Sequence, residues 1–154
     1  MNVKTLEHAL HKENLITRSV LDDIDITSIT YDSREVTSGC LFICKGAAFK
    51  KDYLLSAIEK GAVVYLAQTD YGVCIPGLIV SDIRKAMAVI TSCFYGYPAE
   101  SLDILGITGT KGKTTVAFLT RAMLRSGNQS YGILSSVLTD TGITNQPSHL
   151  TTPE

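Results

Sequence analysis

The fold class of this chain is best inferred from the stretch Gly106-Ile107-Thr108-Gly109-Thr110-Lys111-Gly112-Lys113-Thr114-Thr115. Its glycines allow backbone N–H groups to curve around phosphate oxygens, and a helix beginning there adds the positive end of its dipole. In such loops a lysine contacts the terminal phosphates and the hydroxyl after it binds Mg²⁺. Lys113 and Thr114 occupy these two positions. The stretch therefore predicts a site for a nucleotide polyphosphate.

The spacing of this loop differs from the standard phosphate-binding pattern. That pattern places four residues between its two glycines, whereas Gly106 and Gly112 enclose five. Ile107 stands where the first glycine is expected. The alternative interpretation is a glycine-rich turn that only caps a helix. Lys111 adds a second positive charge, and the sequence leaves open whether it contacts phosphate or is solvated.

The residues around the loop predict a parallel α/β unit. We expect a strand over residues 102–107, a helix over 114–125 and a second strand over 130–134, in the order strand, loop, helix, strand. A hairpin is possible around Asp140-Thr141-Gly142. The fold class is thus α/β, with residues 98–154 forming the first part of a parallel-sheet, P-loop ATPase-type domain.

Residues 1–97 predict a separate small α/β domain. Apolar periodicity predicts helices over residues 3–15, 51–60 and 83–95 and strands over residues 24–31, 40–44, 62–67 and 77–80. Gly61 suits the left-handed position after the second helix, and Ser81 suits the N-cap of the third, with Asp82 favouring its positive end. Gly96-Tyr97-Pro98 interrupts the pattern and predicts the domain boundary.

Composition restricts the possible partners. The 154 residues include 14 lysines and arginines and 15 acids, which gives a formal charge of −1. This balance supplies no electrostatic footprint for nucleic acid or an anionic membrane surface, so neither is predicted as a partner. The N-terminus lacks the apolar segment of a secretion signal, and no apolar run is long enough to cross a bilayer. We therefore expect a cytoplasmic protein.

The four cysteines predict buried thiols rather than a metal site. Cys40 and Cys44 belong to one apolar run, where a strand turns both thiols to the same face. A metal site needs two further ligands, and none is near in sequence. We expect reduced, buried cysteines, with metal binding, a redox role or surface thiols as the alternatives.

The segment 108–115 resembles the phosphate loop of the Mur ligases and of their folate and cyanophycin relatives. Three further stretches resemble the Mur ligases that extend UDP-N-acetylmuramoyl peptides: Ile29-Thr30-Tyr31-Asp32-Ser33-Arg34, the segment 80–86 with Phe94-Tyr95-Gly96-Tyr97-Pro98, and Leu150-Thr151-Thr152-Pro153-Glu154. The combination is most similar to members that add the third residue of the stem peptide, lysine or diaminopimelate. The resemblance covers residues 24–154.

This resemblance implies a UDP-binding N-terminal domain followed by the start of an ATP-binding central domain. It implies an ATP-dependent ligase that adds an amino acid to UDP-N-acetylmuramoyl-L-alanyl-D-glutamate. ATP would contact Gly109, Thr110, Lys111, Gly112, Lys113, Thr114 and Thr115, Mg²⁺ would bind Thr114, and the UDP-linked peptide would contact Ser33, Arg34, Thr151 and Thr152. Family members are much longer, and their catalytic residues lie in parts absent here. No catalytic residue is therefore assigned, and the chain alone is expected to be inactive.

Several features depart from this pattern or have simpler explanations. The Asp-Gly-His stretch that shapes the uridine pocket in many members is missing after residue 46. Ser33 and Arg34 would equally suit a polar turn with a surface ion pair. His8 and His11 are expected to be solvated, and His149 to be a loop residue. A folate- or cyanophycin-type ligase and a non-catalytic nucleotide- or UDP-sugar-binding module remain alternative functions.

Overall fold

The computed structural model describes residues 1–19, 23–46 and 49–148. The chain divides into two compact units, Met1–Leu102 and Asp103–Glu154. The sequence places the boundary slightly earlier, after residue 97, because Pro98 ends the helical pattern. In the structure Pro98–Ser101 forms a short 3-10 helix that belongs to the first unit. Over the described ranges, no helix combines the length and apolar character that crossing a bilayer requires.

The first unit is built on a five-stranded, mostly parallel sheet. Its strands are β1 (Ile16–Arg18), β2 (Ser28–Thr30), β3 (Cys40–Ile43), β4 (Ala62–Ala67) and β5 (Gly77–Val80), in the spatial order β1-β5-β4-β3-β2. Strands β2 to β5 pair in parallel, and β1 joins β5 antiparallel. The predicted α/β fold is confirmed, whereas the edge strand β1 was not predicted.

Helices cover both faces of this sheet. Helices α1 (Val3–Lys12) and α3 (Ile83–Phe94) lie on one face, and α2 (Lys51–Glu59) on the other. Strand residues alternate between the two cores, as a period of two requires: Leu41 and Leu66 belong to the first, Phe42 and Tyr65 to the second. Buried β-strands covered on both sides are typical of parallel sheets.

One of the two predicted helix-end residues is found in its predicted role, and the other is not. Gly61, at φ 104°, follows α2 as predicted, and an added Cβ would lie 2.9 Å from the Cα of Ser38. Helix α3 is capped by Asp82, whose carboxylate accepts hydrogen bonds from the backbone N–H groups of residues 84 and 85. Ser81 was the wrong cap, because its backbone N–H donates to the carbonyl of Leu15 and so still belongs to the sheet.

The second unit contains one helix and a small antiparallel sheet. Helix α4 spans Lys113–Ser126, and the strands are β6 (Ile133–Leu134), β7 (Leu138–Asp140) and β8 (Asn145–Pro147), in the order β6-β7-β8. The predicted helix is found at nearly the predicted bounds. The hairpin expected around residues 140–142 is also confirmed, since β7 and β8 pair across it.

The parallel strand pair predicted for this unit is wrong in detail. Residues 102–107 are not in a strand, and β6 pairs antiparallel with β7. Leu102, Ile104 and Leu105 are 64%, 73% and 70% exposed. An apolar run becomes a strand only when neighbouring strands accept its backbone hydrogen bonds, and none of the described residues does so here.

Candidate functional site

The predicted phosphate loop has the backbone that an anion cradle needs. Gly109 has φ 152° and Gly112 φ 78°, values that side chains disfavour. Gly112 is the residue immediately before α4, so the left-handed turn directs the chain into the helix at Lys113. A Cβ added at Gly112 would meet nothing within 4 Å. Glycine is therefore favoured at position 112 by the backbone conformation and not by crowding from neighbouring atoms.

The N-terminus of α4 is free to accept an anion. None of the side chains that the structure describes caps it, and no acidic residue lies in its first turn. The first N–H groups of a helix have no intrahelical acceptor, and the helix dipole makes this end positive. Lys111 and Lys113 add two positive charges, and all loop residues from 108 to 113 are exposed. The loop therefore fits a polyphosphate by conformation, by charge and by accessibility.

Lys113 is directed back onto its own loop. Its ammonium donates a hydrogen bond of 2.7 Å to the carbonyl oxygen of Gly109. The side chain thus folds back over the loop residues that precede it. This is the position from which a lysine reaches the terminal phosphates of a nucleotide.

The predicted Mg²⁺ ligand is the hydroxyl of Thr114, which is half-buried at the start of α4. Among the described residues no group of three or more His, Cys, Asp or Glu side chains could hold a metal ion. Mg²⁺ commonly takes few protein ligands and completes its shell with phosphate oxygens and water. Thr114 beside the cradle fits that role.

Ser33 and Arg34 lie in the connection between β2 and β3. The guanidinium of Arg34 donates to both carboxylate oxygens of Asp32, at 2.9 Å, 3.1 Å and 2.5 Å, and its side chain is 85% exposed. The carbonyl oxygen of Ser33 accepts from the ammonium of Lys60 at 2.7 Å. In this structure Arg34 makes the surface ion pair that the simpler explanation predicts.

This ion pair shifts the pKa of the acid that forms it. Hydrogen bonds from the Arg34 side chain and then from its backbone N–H lower the pKa of Asp32 to about 2. The bond to Asp32 likewise raises the pKa of Arg34. The net charge of the pair is near zero at neutral pH. Of the guanidinium nitrogens of Arg34, only Nε and Nη2 donate to Asp32, so the Nη1 group can still contact an anionic substrate while the ion pair stays intact.

A cleft of about 390 Å³ lies elsewhere on the first unit, beyond the carboxyl ends of β3 and β4. Its lining residues include Phe49, Gln68, Thr69, Tyr71 and Arg84. Ligands of open parallel sheets bind at this edge. These residues were not predicted from the sequence. Each follows the end of a predicted strand or begins the helix after one, and that position was the available signal.

Aromatic rings form one side of this cleft. The ring of Phe49 lies 5.5 Å from that of Tyr71 and 6.2 Å from that of Tyr53, centre to centre. Cys44 also lines the cleft, and burial raises the pKa of its thiol to about 12. The thiol is therefore a neutral, apolar part of the wall. Planar rings beside the guanidinium of Arg84 suit a ligand with an aromatic ring and a negative charge.

The cysteines are placed largely as the sequence predicts. Cys40 and Cys44 are buried on the same face of the first sheet, and Cys93 is buried in α3. Cys74 is exposed, against the expectation of burial, because it lies in the loop before β5. The two substrate residues Thr151 and Thr152, like His149, lie outside the described residues. His8 and His11 are exposed as expected.

Comparison with solved structures defines the class of fold. The chain is similar to a UDP-N-acetylmuramoylalanyl-D-glutamyl-2,6-diaminopimelate–D-alanyl-D-alanyl ligase from Acinetobacter baumannii, with a TM-score of 0.56 and 24% identity over 91% of this chain and 31% of that one. A second structure, of MurF from the same organism, gives the same TM-score and identity. These likenesses show the fold of the Mur ligases.

Relatives found by sequence indicate which Mur ligases the chain is similar to. The chain is 44% identical to the UDP-N-acetylmuramoyl-L-alanyl-D-glutamate–L-lysine ligase of Streptococcus pneumoniae serotype 4. The alignment is 163 positions long and covers 100% of the chain and 34% of the relative. The ligase of the same name from Enterococcus faecalis is 43% identical over 92% of the chain and 28% of the relative. A UDP-N-acetylmuramyl-tripeptide synthetase of Limosilactobacillus reuteri is 47% identical over 88% and 27%. No family model matches.

The chain spans about a third of the length of these curated relatives. It matches an N-terminal part of Mur ligases, and the resemblance inferred from the loop and the flanking motifs is confirmed.

Proposed function

We propose that this chain is the nucleotide- and substrate-binding front part of an ATP-dependent ligase that extends UDP-N-acetylmuramoyl-L-alanyl-D-glutamate by one amino acid. The observation that carries the proposal is the open N-terminus of α4, preceded by left-handed Gly112 and flanked by Lys111 and Lys113. The names of the relatives favour lysine over diaminopimelate as the added residue. A cytoplasmic location belongs to the same proposal.

The chemistry of the loop is positioning and charge neutralisation. Bound ATP would supply the phosphoryl group that activates the carboxylate of the substrate. Lys113 would leave the carbonyl of Gly109 and contact the β- and γ-phosphates, and Thr114 would hold Mg²⁺. The backbone N–H groups of Gly109, Lys111 and Gly112 would surround the phosphate oxygens. Phosphoryl transfer needs little covalent help from the protein, so these contacts supply the catalytic contribution of this part of the ligase.

The UDP-linked substrate is assigned to the first unit and to the segment after β8. Ser33, Arg34, Thr151 and Thr152 are the residues that the family resemblance implies. The cleft beside Phe49 and Arg84 adds an aromatic and a cationic group at the edge of the sheet where ligands of parallel sheets bind. We include it in the proposed substrate site.

Titration of the 154-residue chain with ATP and Mg²⁺ tests the nucleotide site. We expect Lys113→Ala to weaken ATP binding roughly tenfold to a hundredfold, as loss of a charge-assisted hydrogen bond implies. Lys85→Ala removes an equal charge from an exposed position in α3 and is the control. Equal affinities for the two variants would contradict the assignment of the loop. Lys111→Ala decides whether that lysine contacts phosphate or is only solvated.

A phosphate-release assay tests the expectation that this chain alone does not ligate. The mixture contains ATP, UDP-N-acetylmuramoyl dipeptide and either lysine or diaminopimelate. We expect no release above background, because the chain spans about a third of its relatives. Turnover would refute this expectation. ATP binding that is unaffected by the UDP-linked substrate, together with no affinity for that substrate, would favour a simple nucleotide-binding module.

A further inference from the structure

Arg121 links helix α4 to the antiparallel sheet. Its guanidinium donates a hydrogen bond of 2.6 Å to a carboxylate oxygen of Asp140 in β7. It also lies 6.0 Å from the ring centre of Phe118 and 5.6 Å from that of Tyr131. Within the described part of the second unit, no other side-chain hydrogen bond joins α4 to this sheet. Among the described residues α4 buries none fully, so this ion pair supplements the contacts of its half-buried residues.

The acidic partner is held rigidly by the hairpin turn. The second carboxylate oxygen of Asp140 accepts a hydrogen bond of 2.9 Å from the backbone N–H of Gly142. Gly142 has φ 79°, and a Cβ there would lie 2.9 Å from the carbonyl oxygen of Tyr131. The side chain of Asp140 is only 8% exposed and that of Arg121 only 21%. The pair is therefore largely shielded from solvent, unlike an exposed surface ion pair.

Helix geometry connects this contact to the phosphate loop. Residues seven apart on an α-helix lie on the same face, about 10.5 Å apart along the axis. Arg121 is seven residues after Thr114. Fixing Arg121 against Asp140 therefore fixes both the height and the rotation of the helix face that presents Thr114 at the N-terminus. Lys113 and the first N–H groups are set by the same rotation.

We propose that Arg121 and Asp140 are a positioning pair that couples nucleotide binding at the N-terminus of α4 to the order of the β7–β8 hairpin. The proposal rests on the function proposed above, since it takes the loop to bind ATP. Neither residue belongs to the loop that is proposed to bind the nucleotide. Coupling between two elements is reciprocal: if the hairpin orients the loop, nucleotide held by the loop must in turn stabilise the hairpin.

The experiment measures two quantities on the 154-residue chain: ATP affinity in the presence of Mg²⁺, and hydrogen exchange of the hairpin amides over residues 138–147 with and without saturating ATP. We expect Arg121→Met and Asp140→Asn each to weaken ATP binding roughly fivefold to tenfold. In the unchanged chain ATP slows exchange of the hairpin amides. In both variants this slowing is lost even when ATP is saturating.

Matched variants distinguish a positioning role of Arg121 from the loss of a positive charge or of the folded structure. Arg125→Met removes a positive charge one turn further along α4 that acts on Asp140 without a hydrogen bond, and it should change both quantities much less than Arg121→Met does. Arg121→Lys keeps a donor and a charge, and should recover part of the slowing. A circular dichroism spectrum with the helical signal of the unchanged chain checks that α4 is present in each variant.

Each outcome has one meaning. If Arg121→Met binds ATP as tightly as Arg125→Met and its hairpin is still protected by ATP, the coupling proposal is overturned while the nucleotide site stands. If the Arg121→Met chain lacks the helical signal, Arg121→Lys decides: unchanged affinity and full protection in that variant also overturn the proposal. If the unchanged chain does not bind ATP, the proposed function fails and the coupling fails with it.

Discussion

The two units of the chain differ in how their helices are held. In the first, helices cover both faces of a sheet whose strands β3, β4 and β5 are mostly buried, with Leu66 and Leu78 at 0% exposure. In the second, α4 buries no residue, and its Leu119 and Met123 are 61% and 73% exposed. The candidate cleft thus lies on a well-packed scaffold, whereas the candidate phosphate loop lies at the end of a helix with little packing.

The two candidate sites are therefore held in place by different interactions. Side chains at the cleft are fixed by a core that burial stabilises at about 25 cal/mol per Å² of apolar surface. The loop depends on two glycine conformations and on the contact between Arg121 and Asp140. Isolated helices are marginal without tertiary packing. Ligand binding should therefore stabilise the second unit more than the first, since a ligand that binds only the ordered state shifts that equilibrium.

The strongest loss of stability is predicted for a buried leucine, in contrast to an exposed one. Leu66→Ala leaves a cavity in the first unit and should lower its free energy of unfolding by about 2–5 kcal/mol. Leu119→Ala makes the same chemical change on the exposed face of α4 and should change stability by no more than about 0.5 kcal/mol. Urea unfolding followed by the NMR amide signals of each unit measures both. Similar losses for the two variants would show that α4 is packed after all.

A smaller effect is expected where a glycine lies against a buried ring. A Cβ at Gly77 would lie 2.3 Å from the ring of Tyr65, whose hydroxyl is held by a 2.7 Å hydrogen bond to Asp70. Gly77→Ala should therefore cost the first unit about 1–3 kcal/mol. Gly106→Ala, which meets nothing within 4 Å, is the matched control in the second unit. Urea unfolding measures both variants in the same way. If Gly77→Ala does not change the free energy of unfolding, the Tyr65 ring can shift.

The smallest effect is a pH dependence of the first unit. Hydrogen bonds from the backbone N–H of Gly72 and then from the Tyr65 hydroxyl lower the pKa of Asp70 to about 2, below its ordinary 3.8. A lowered pKa means that the stabilisation is complete above about pH 4 and is lost as the pH falls towards 2. Arg18, which also bonds Asp70, loses its partner over the same range. Thermal melting between pH 5 and about 2 should show this loss.

Asp70→Asn provides the comparison for that measurement. The variant should melt lower than the unchanged chain at neutral pH, and its melting temperature should fall less steeply as acid is added. Asp32→Asn should flatten the acid profile in the same direction, because its carboxylate also has a pKa lowered to about 2. Identical acid profiles for the unchanged chain and Asp70→Asn would disprove the role of Asp70. An exposed carboxylate contributes modestly, which places this effect last.

Much of the first unit could be predicted because its signals are local. The apolar run of β4, the turn at Gly61 and the amphipathic pattern of α3 each lie within a few residues. Strand β1 could not be found in this way: only Ile16 of its three residues is apolar, and its pairing depends on β5, more than sixty residues later. The choice of Asp82 over Ser81 likewise depended on the contact of Ser81 with Leu15.

The two candidate sites also differ in how far they could be predicted from local sequence. The phosphate loop is contiguous, so its glycines and lysines could be read directly from the sequence. The cleft is assembled from the ends of separate strands, and Phe49, Tyr71 and Arg84 are brought together only by the fold. The segment 102–107 shows the opposite error: its apolar residues are typical of a strand, yet strand formation needs hydrogen-bonded neighbours that local sequence does not contain.

The bond between Lys113 and the carbonyl of Gly109 has a consequence for ligand choice. Because the ammonium already has an acceptor, capture of a phosphate is an exchange of one acceptor for another. A neutral oxygen offers little advantage over the carbonyl that it replaces, whereas a doubly charged phosphate offers much more. We therefore expect the bare loop to rank incoming molecules by the negative charge they bring, even before shape or base identity is considered.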